Sequence, residues 1–87
     1  MKSISIIKDL SFNLYGTDGC HLCEIAEDLC KQVFTAQQYC YVDIIDSVQL
    51  LELYSISIPV LEHITSGNTL FWPFDLQQLQ EFIRGTN

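Results

Sequence analysis

The sequence predicts an α/β protein of order βαβαββα, in which a four-stranded mixed sheet carries helices on both faces. Three observations carry that expectation. Runs rich in β-branched and aromatic residues alternate with segments of helical apolar spacing. Two stretches begin with the Asp-x-x-Gln pattern of a capped helix, Asp46 to Gln49 and Asp75 to Gln78. A Cys-x-x-Cys pair, Cys20 and Cys23, sits where the first strand gives way to the first helix.

Phe12 to Tyr15 is short, apolar and aromatic, and Gly16, Asp18 and Gly19 break it, so a strand ends there in a loop. Next, Leu22, Ala26, Leu29 and Val33 recur at spacings of four, three and four, with Cys23, Cys30 and Phe34 on a flanking line. That outlines one apolar stripe on a helix of about three to four turns. Gln37 and Gln38 make a polar break, and Tyr39 to Ile45 has the β-branched and aromatic content of a strand. Asp46 is the expected cap of the second helix, and Leu50, Leu51 and Tyr54 give that helix an apolar side. Ser55 to Ser57 interrupts, and Val60 to Ile64 reads as a third strand launched by Pro59. Thr65 to Asn68 is a turn, and Thr69 to Trp72 a fourth strand antiparallel to the third, ended by Pro73. Asp75 caps the last helix, whose buried face is Leu76, Leu79, Phe82 and Ile83 and whose terminator is Gly85. Helices joining successive strands call for parallel pairing with right-handed crossovers, and the closing hairpin adds an antiparallel edge. Met1 to Leu10 reads as an extra strand or a loose arm.

The 87 residues suit one domain with a modest core, and 48% hydrophobic content with few prolines and glycines points to an ordered chain. Four cysteines would also fit a secreted disulfide scaffold, but such scaffolds are poor in apolar residues and rich in loops. Ile4 to Ile7 is too short for a signal-peptide core, and no run has the roughly 18 to 20 apolar residues that cross a membrane. The expected location is therefore a reducing cytoplasm. A net charge of -7, with Lys2, Lys8, Lys31 and Arg84 as the whole basic complement, argues against nucleic acid and anionic membrane as partners.

The chemistry resides in the cysteine pair. A helix beginning near Cys20 leaves its first amide N–H groups without intrahelical partners and places partial positive charge beside the Cys20 sulfur, which favours thiolate over thiol. Asp18 and Glu24 act in the opposite sense. Cys23 lies about one turn on, so the two sulfurs share a side and can close a small disulfide loop. Cys20 is the exposed attacker in this arrangement, and Cys23 the more buried resolving thiol. The same spacing supplies half of many zinc sites, but Cys30, Cys40, His21 and His63 form no second pair. Two further readings remain open: a zinc or iron-sulfur module, and an interaction domain without turnover. Cys30 is expected in the core of the first helix, Cys40 inert on a strand and His63 at the surface. Trp72 and Phe74 either rim the site or pack under the last helix.

The combination of a Cys-x-x-Cys helix start, Tyr54 to Val60 leading into the third strand and a capped last helix resembles the thioredoxin fold in its compact glutaredoxin form. More narrowly, Tyr15-Gly16-Thr17 with Gly19-Cys20-His21-Leu22-Cys23, Ile58-Pro59-Val60-Leu61 and Trp72-Pro73-Phe74-Asp75 are similar to motifs of a family of small bacterial glutaredoxin-like proteins. The resemblance implies a dithiol oxidoreductase with no bound cofactor or metal, acting as a monomer on disulfide-containing proteins. Glutathione or a reductase would be the electron donor. It implies catalytic roles for Cys20 and Cys23, and substrate contacts at His21, Leu22, Ile58, Pro59, Trp72 and Asp75. Pro59 is expected to follow a cis bond that turns the N–H and C=O of Ile58 toward an extended peptide or glutathione. The glutathione pattern is only partly present. Neutral and acidic residues fill the usual lysine slot, His21-Leu22 replaces Pro-Tyr, and Trp72-Pro73-Phe74 replaces the paired glycines before Asp75. A protein disulfide is therefore at least as good a candidate substrate.

Overall fold

The computed structural model describes residues 10–86. The expectation of an N-terminal strand or arm falls on residues 1–9, outside the described residues, and Leu10 belongs to no regular element. The elements in chain order are β1 (Phe12–Gly16), α1 (His21–Val33), β2 (Tyr39–Asp43), a 3-10 turn (Ile44–Asp46), α2 (Val48–Tyr54), β3 (Val60–His63), β4 (Thr69–Phe71) and α3 (Leu76–Gly85). This is the expected βαβαββα order. The strands lie in the order β2-β1-β3-β4, with β1 parallel to β2 and antiparallel to β3, and β3 antiparallel to β4.

One expectation of pairing fails. The crossover through α1 makes a parallel pair, but the one through α2 delivers β3 in the opposite direction on the other side of β1. Length explains the difference. The 13 residues of α1 span about 20 Å at 1.5 Å per residue, enough to run back along a five-residue strand of about 16 Å. The seven residues of α2 span about 10 Å. The chain therefore re-enters the sheet at the end where it left, and Asp43 of β2 and Val60 of β3 lie across from Gly16 and Tyr15 of β1.

Alternation along the strands divides the core between two faces. Phe12, Leu14 and Leu61 point to one side, where they meet Ala26, Cys30 and Phe34 from α1 and its cap, and Phe74 and Leu79 from α3 and the segment before it. Tyr15 and Val60 point to the other, with Ile44 and the half-buried Leu50, Leu51 and Tyr54 around α2. Leu14, Val60, Leu61 and Leu79 are fully buried. Among the described residues no helix is long and apolar enough to cross a membrane.

The caps are only partly where the sequence places them. At α3 the box is complete: Gln78 N–H donates to Asp75 Oδ1 (2.8 Å), and Asp75 N–H donates to Gln78 Oε1 (2.9 Å). At α2 the cap is Ser47, whose Oγ accepts the Leu50 N–H at 3.2 Å, rather than Asp46. The strand before it stops at Asp43, two residues short of Ile45, because the Asp43 carboxylate takes the Ile45 N–H (3.0 Å) and opens the 3-10 turn. A short polar side chain at a strand end offers the backbone this alternative to the ladder. Replacing Ser47 by Ala is expected to cost about 1 kcal/mol in urea unfolding, and Asp46→Ala no more than about 0.5 kcal/mol. An Asp46→Ala loss as large as that of Ser47→Ala would put the cap one residue earlier.

Candidate active site

Because β1 is hydrogen-bonded to a strand on each side, its end is a fixed point in the molecule, and the cysteine pair is built directly on it. Thr17 to Gly19 make the connection. Cys20 N–H donates to Thr17 C=O (3.3 Å), closing a turn that has Asp18 and Gly19 at its centre. Gly19 has φ +82°, a conformation that glycine adopts without the steric cost of a Cβ. The turn leaves Cys20 as the N-cap of α1, with its Sγ accepting the Cys23 N–H at 3.2 Å. Cys20 and Cys23 are joined as a disulfide, with their Cα atoms 5.2 Å apart. Cys20 is half-buried and Cys23 fully buried, the division of exposure expected for attacker and resolving thiol.

Strand β2 supports the loop from the side. Tyr41 OH donates to Thr17 C=O (3.3 Å), and Asp43 Oδ2 accepts the Asp18 N–H (3.4 Å). The Asp43 carboxyl titrates below the ordinary range, first because the Ile45 N–H bonds its charged form, then through the Thr17 side chain. Burial, and then the charge of Asp43, push the Tyr41 hydroxyl up, so it stays a donor. A Cβ on Gly16 would collide with the Tyr41 hydroxyl and lie 3.0 Å from Cys23 Cβ, so strand end, tyrosine and resolving cysteine meet with no room for a side chain. Sequence reading missed Tyr41 and Asp43. Their signal is a register, with Gly16 opposite Asp43, that appears only once β1 and β2 are paired. Beside the loop lies an open cavity of about 630 Å³ lined by the carboxylates of Asp18, Glu24, Glu27, Asp43 and Asp46.

The other expected site residues divide. His21 is 82% exposed and its Nδ1 lies 3.7 Å from Glu24, a contact that becomes an ion pair when the ring is protonated. Leu22 is exposed. One step beyond the Tyr15–Val60 pair, Pro59 falls beside Gly16, and its C=O accepts the Trp72 N–H at 3.2 Å. The bonds Ile58–Pro59 and Trp72–Pro73 are both cis. Pro59 is fully buried. The Ile58 N–H, expected to face a substrate, donates instead to Tyr54 C=O at 3.1 Å, because the chain leaving α2 folds back on its last turn. Asp75 is exposed but engaged in its capping box, so its N–H and that of Gln78 are not free for a ligand carboxylate. Trp72 packs half-buried, edge-on to Phe74 (5.0 Å), and Phe74 belongs to the core.

Cys30 is buried and its thiol is pushed up to about 12, chiefly by desolvation, which makes it inert. Cys40 is exposed on the edge strand β2. His63 stacks obliquely on Phe12 (5.1 Å) and pairs with Ser66 Oγ (2.8 Å). Among the described residues, no three His, Cys, Asp or Glu side chains converge to hold a metal ion.

The geometry so described has relatives. An X-ray structure of the protein XcR50 from X. campestris superposes with a TM-score of 0.77 at 33% identity, covering 86% of this chain and 97% of that one. Protein Ne2328 from Nitrosomonas europaea, a solution structure, gives 0.62 at 27% identity, covering 83% and 88%. Thioredoxin 1 from Thermosipho africanus, at 10% identity and a TM-score of 0.52 over 87% of this chain and 97% of that one, shares the fold alone. No curated protein matches the chain. Residues 12–84 match the family model described as Glutaredoxin-like domain (DUF836). With that match over most of its length, the chain belongs to the glutaredoxin-like family and carries the thioredoxin fold.

Proposed function

We propose that this protein is a thiol/disulfide oxidoreductase that reduces disulfides in other proteins through the Cys20/Cys23 dithiol. Family, fold and the paired cysteines support redox chemistry of thioredoxin type. The observation that carries the finer reading is the state of the two sulfurs: one half-exposed and capping a helix, the other buried directly behind it. In the dithiol form, the Cys23 N–H and the start of α1 favour the Cys20 thiolate. That thiolate attacks one sulfur of the substrate disulfide. A Cys20–substrate bond forms, the substrate S–S bond breaks, and the released sulfur leaves as a thiolate that takes a proton from water. Cys23, deprotonated, then attacks Cys20 Sγ. The Cys20–Cys23 disulfide forms and the second substrate sulfur leaves, so the substrate has gained two electrons and two protons and the protein has lost them. Two molecules of glutathione, leaving as glutathione disulfide, or the dithiol of a reductase protein return the two electrons. No step needs a bound cofactor or metal, both cysteines come from one chain so a monomer suffices, and a reducing cytoplasm is the compartment that keeps the pair charged.

Protein disulfides are the better substrate class than glutathione. Glutathione presents two carboxylates, and neither cation of the described residues, Lys31 in the last turn of α1 or Arg84 in the last turn of α3, lines the cavity beside the loop. The amides of Asp75 and Gln78 are already bonded, and five carboxylates flank the loop. An extended protein segment needs no cation. It has exposed Leu22 to pack on.

Cys20→Ser is expected to lower turnover with a protein disulfide by at least about 100-fold, while Cys23→Ser stalls as a Cys20–substrate disulfide visible by non-reducing mass analysis. A Cys20→Ser protein with wild-type turnover would sink the reading. Insulin disulfides are expected to be reduced with kcat/KM at least about tenfold above that for a glutathionylated peptide, since an unmatched carboxylate costs on the order of 1–3 kcal/mol. The reverse order would make glutathione mixed disulfides the substrate class.

A further inference from the structure

We propose that Asp43 and Tyr41 are positioning residues for the dithiol: from alternate positions on β2 they clamp the Thr17–Asp18 peptide and so fix Cys20 at the start of α1. The proposal rests on the oxidoreductase reading and adds to it the part that sets the attacking sulfur. The clamp grips both sides of one short stretch. Tyr41 OH donates to the Thr17 C=O, and the Asp43 carboxylate accepts the Asp18 N–H. That same Thr17 C=O accepts the Cys20 N–H, so the tyrosine hydroxyl and the N-cap cysteine share one acceptor. Beneath them the Gly16 contact to Tyr41 and Cys23 allows no slack. Release of the clamp therefore frees the turn that holds Cys20 Sγ within reach of the Cys23 N–H.

Charge and position predict opposite signs, and that makes the assignment testable. Asp43 is one of several carboxylates near the loop, the others being Asp18 on the loop itself, Glu24 and Glu27 on α1, and Asp46 on the 3-10 turn, with His21 beside Glu24. Were Asp43 only a nearby negative charge, removing it would favour the Cys20 thiolate and speed its reaction. As a positioning residue its loss withdraws the N–H that the thiolate accepts, and slows the reaction.

The test is the rate of iodoacetamide alkylation of Cys20 against pH in the reduced full-length chain, read by peptide mass, with thermal melts alongside. For Asp43→Ala we expect the midpoint of the profile to move up and the rate at neutral pH to fall about three- to tenfold. Tyr41→Phe, which loses one hydroxyl and keeps its ring, should move the same way by about twofold. Asp46→Asn removes a charge from the same cavity without touching the clamp and should react no more slowly than the wild type. If Asp43→Ala fails to fold, Tyr41→Phe carries the test. Profiles for Asp43→Ala and Tyr41→Phe that coincide with the wild type, even with lowered melting points, would reduce the two residues to structural support and overturn the proposal. Faster alkylation of Asp43→Ala, matching Asp46→Asn, would overturn it too. A wild-type chain whose Cys20 does not pair with Cys23 in an oxidising thiol buffer defeats the oxidoreductase reading, and the positioning role with it. A wild type that pairs and turns over while the variants keep its profile defeats the positioning role alone.

Discussion

Strand β1 has a partner on each side, and α1 follows it after only four residues, so whatever holds β1 also holds Cys20. An edge strand could shift or fray without disturbing its neighbours. A central strand cannot, since its N–H and C=O groups are committed in both directions and Leu14, Tyr15 and their partners Leu61 and Val60 are packed on both faces. The end of β1 is then a datum for the chemistry. From it a single turn reaches the N-cap of α1, and the next turn of that helix brings Cys23 back over Gly16. Burial of Cys23 follows from this packing. In the proposed exchange, a fully buried sulfur one helical turn from Cys20 reaches that sulfur and no outside substrate, which orders the two steps without a separate selectivity device.

The electrostatics of the site divide by range. The start of a 13-residue helix and one direct N–H contact at 3.2 Å act on Cys20 at bonding distance, where a helix terminus contributes on the order of 1 kcal/mol, up to about 2 kcal/mol when partly buried. The carboxylates that surround the loop mostly reach into water, where a unit charge even at 4 Å contributes only about 1 kcal/mol and salt screens what lies beyond about 8 Å. The long-range field of a chain with net charge -7 acts instead on whatever approaches. Such a field repels anions and draws in cations. The few cations among the described residues do not offset this at the site. Lys31 and Arg84 stand at the C-terminal turns of their own helices, where they complement the negative ends of the dipoles.

How much of this is legible in the chain depends on the range of the interaction that specifies it. The helical spacing of α1, the cap of α3 and the break at Gly16 to Gly19 are local patterns, and each corresponds to an observed element, although the buried line of α1 runs through Cys23, Ala26 and Cys30 and leaves Leu22, expected in the stripe, exposed. The direction of β3 is not local: it follows from α2 being too short to traverse the sheet, a comparison between two elements rather than a property of either. The misplaced cap is a subtler case. Asp46 and Ser47 are both good capping residues in adjacent positions, and what decides between them is Asp43, which opens a 3-10 turn and carries the chain one residue further before α2 begins. Asp43 reads in sequence as an ordinary strand residue. Its second role, toward the Asp18 N–H, is likewise invisible without the parallel register of β1 and β2, as is the approach of Tyr41. The cysteines announce themselves by spacing, whereas their supports are recruited by topology.

The N-termini of α1 and α3 apply one physical fact to different ends. Every α-helix begins with N–H groups that have no partner within it. In α1 the partner is the sulfur of Cys20, a weak acceptor as a thiol and a strong one as a thiolate, so the cap itself favours the reactive form. In α3 the partners are Asp75 and, reciprocally, Gln78, which satisfy the end of the helix and add a negative charge to it. A helix start closed in this way has lost the anion-binding capacity that a free one has. Around the disulfide the structure leaves exposed apolar surface at Leu22 and a cavity lined by acidic residues, whose field favours positive charge. On the proposed reading, those features suit an extended, neutral or basic protein segment carrying a disulfide better than a small peptide with a carboxylate at each end.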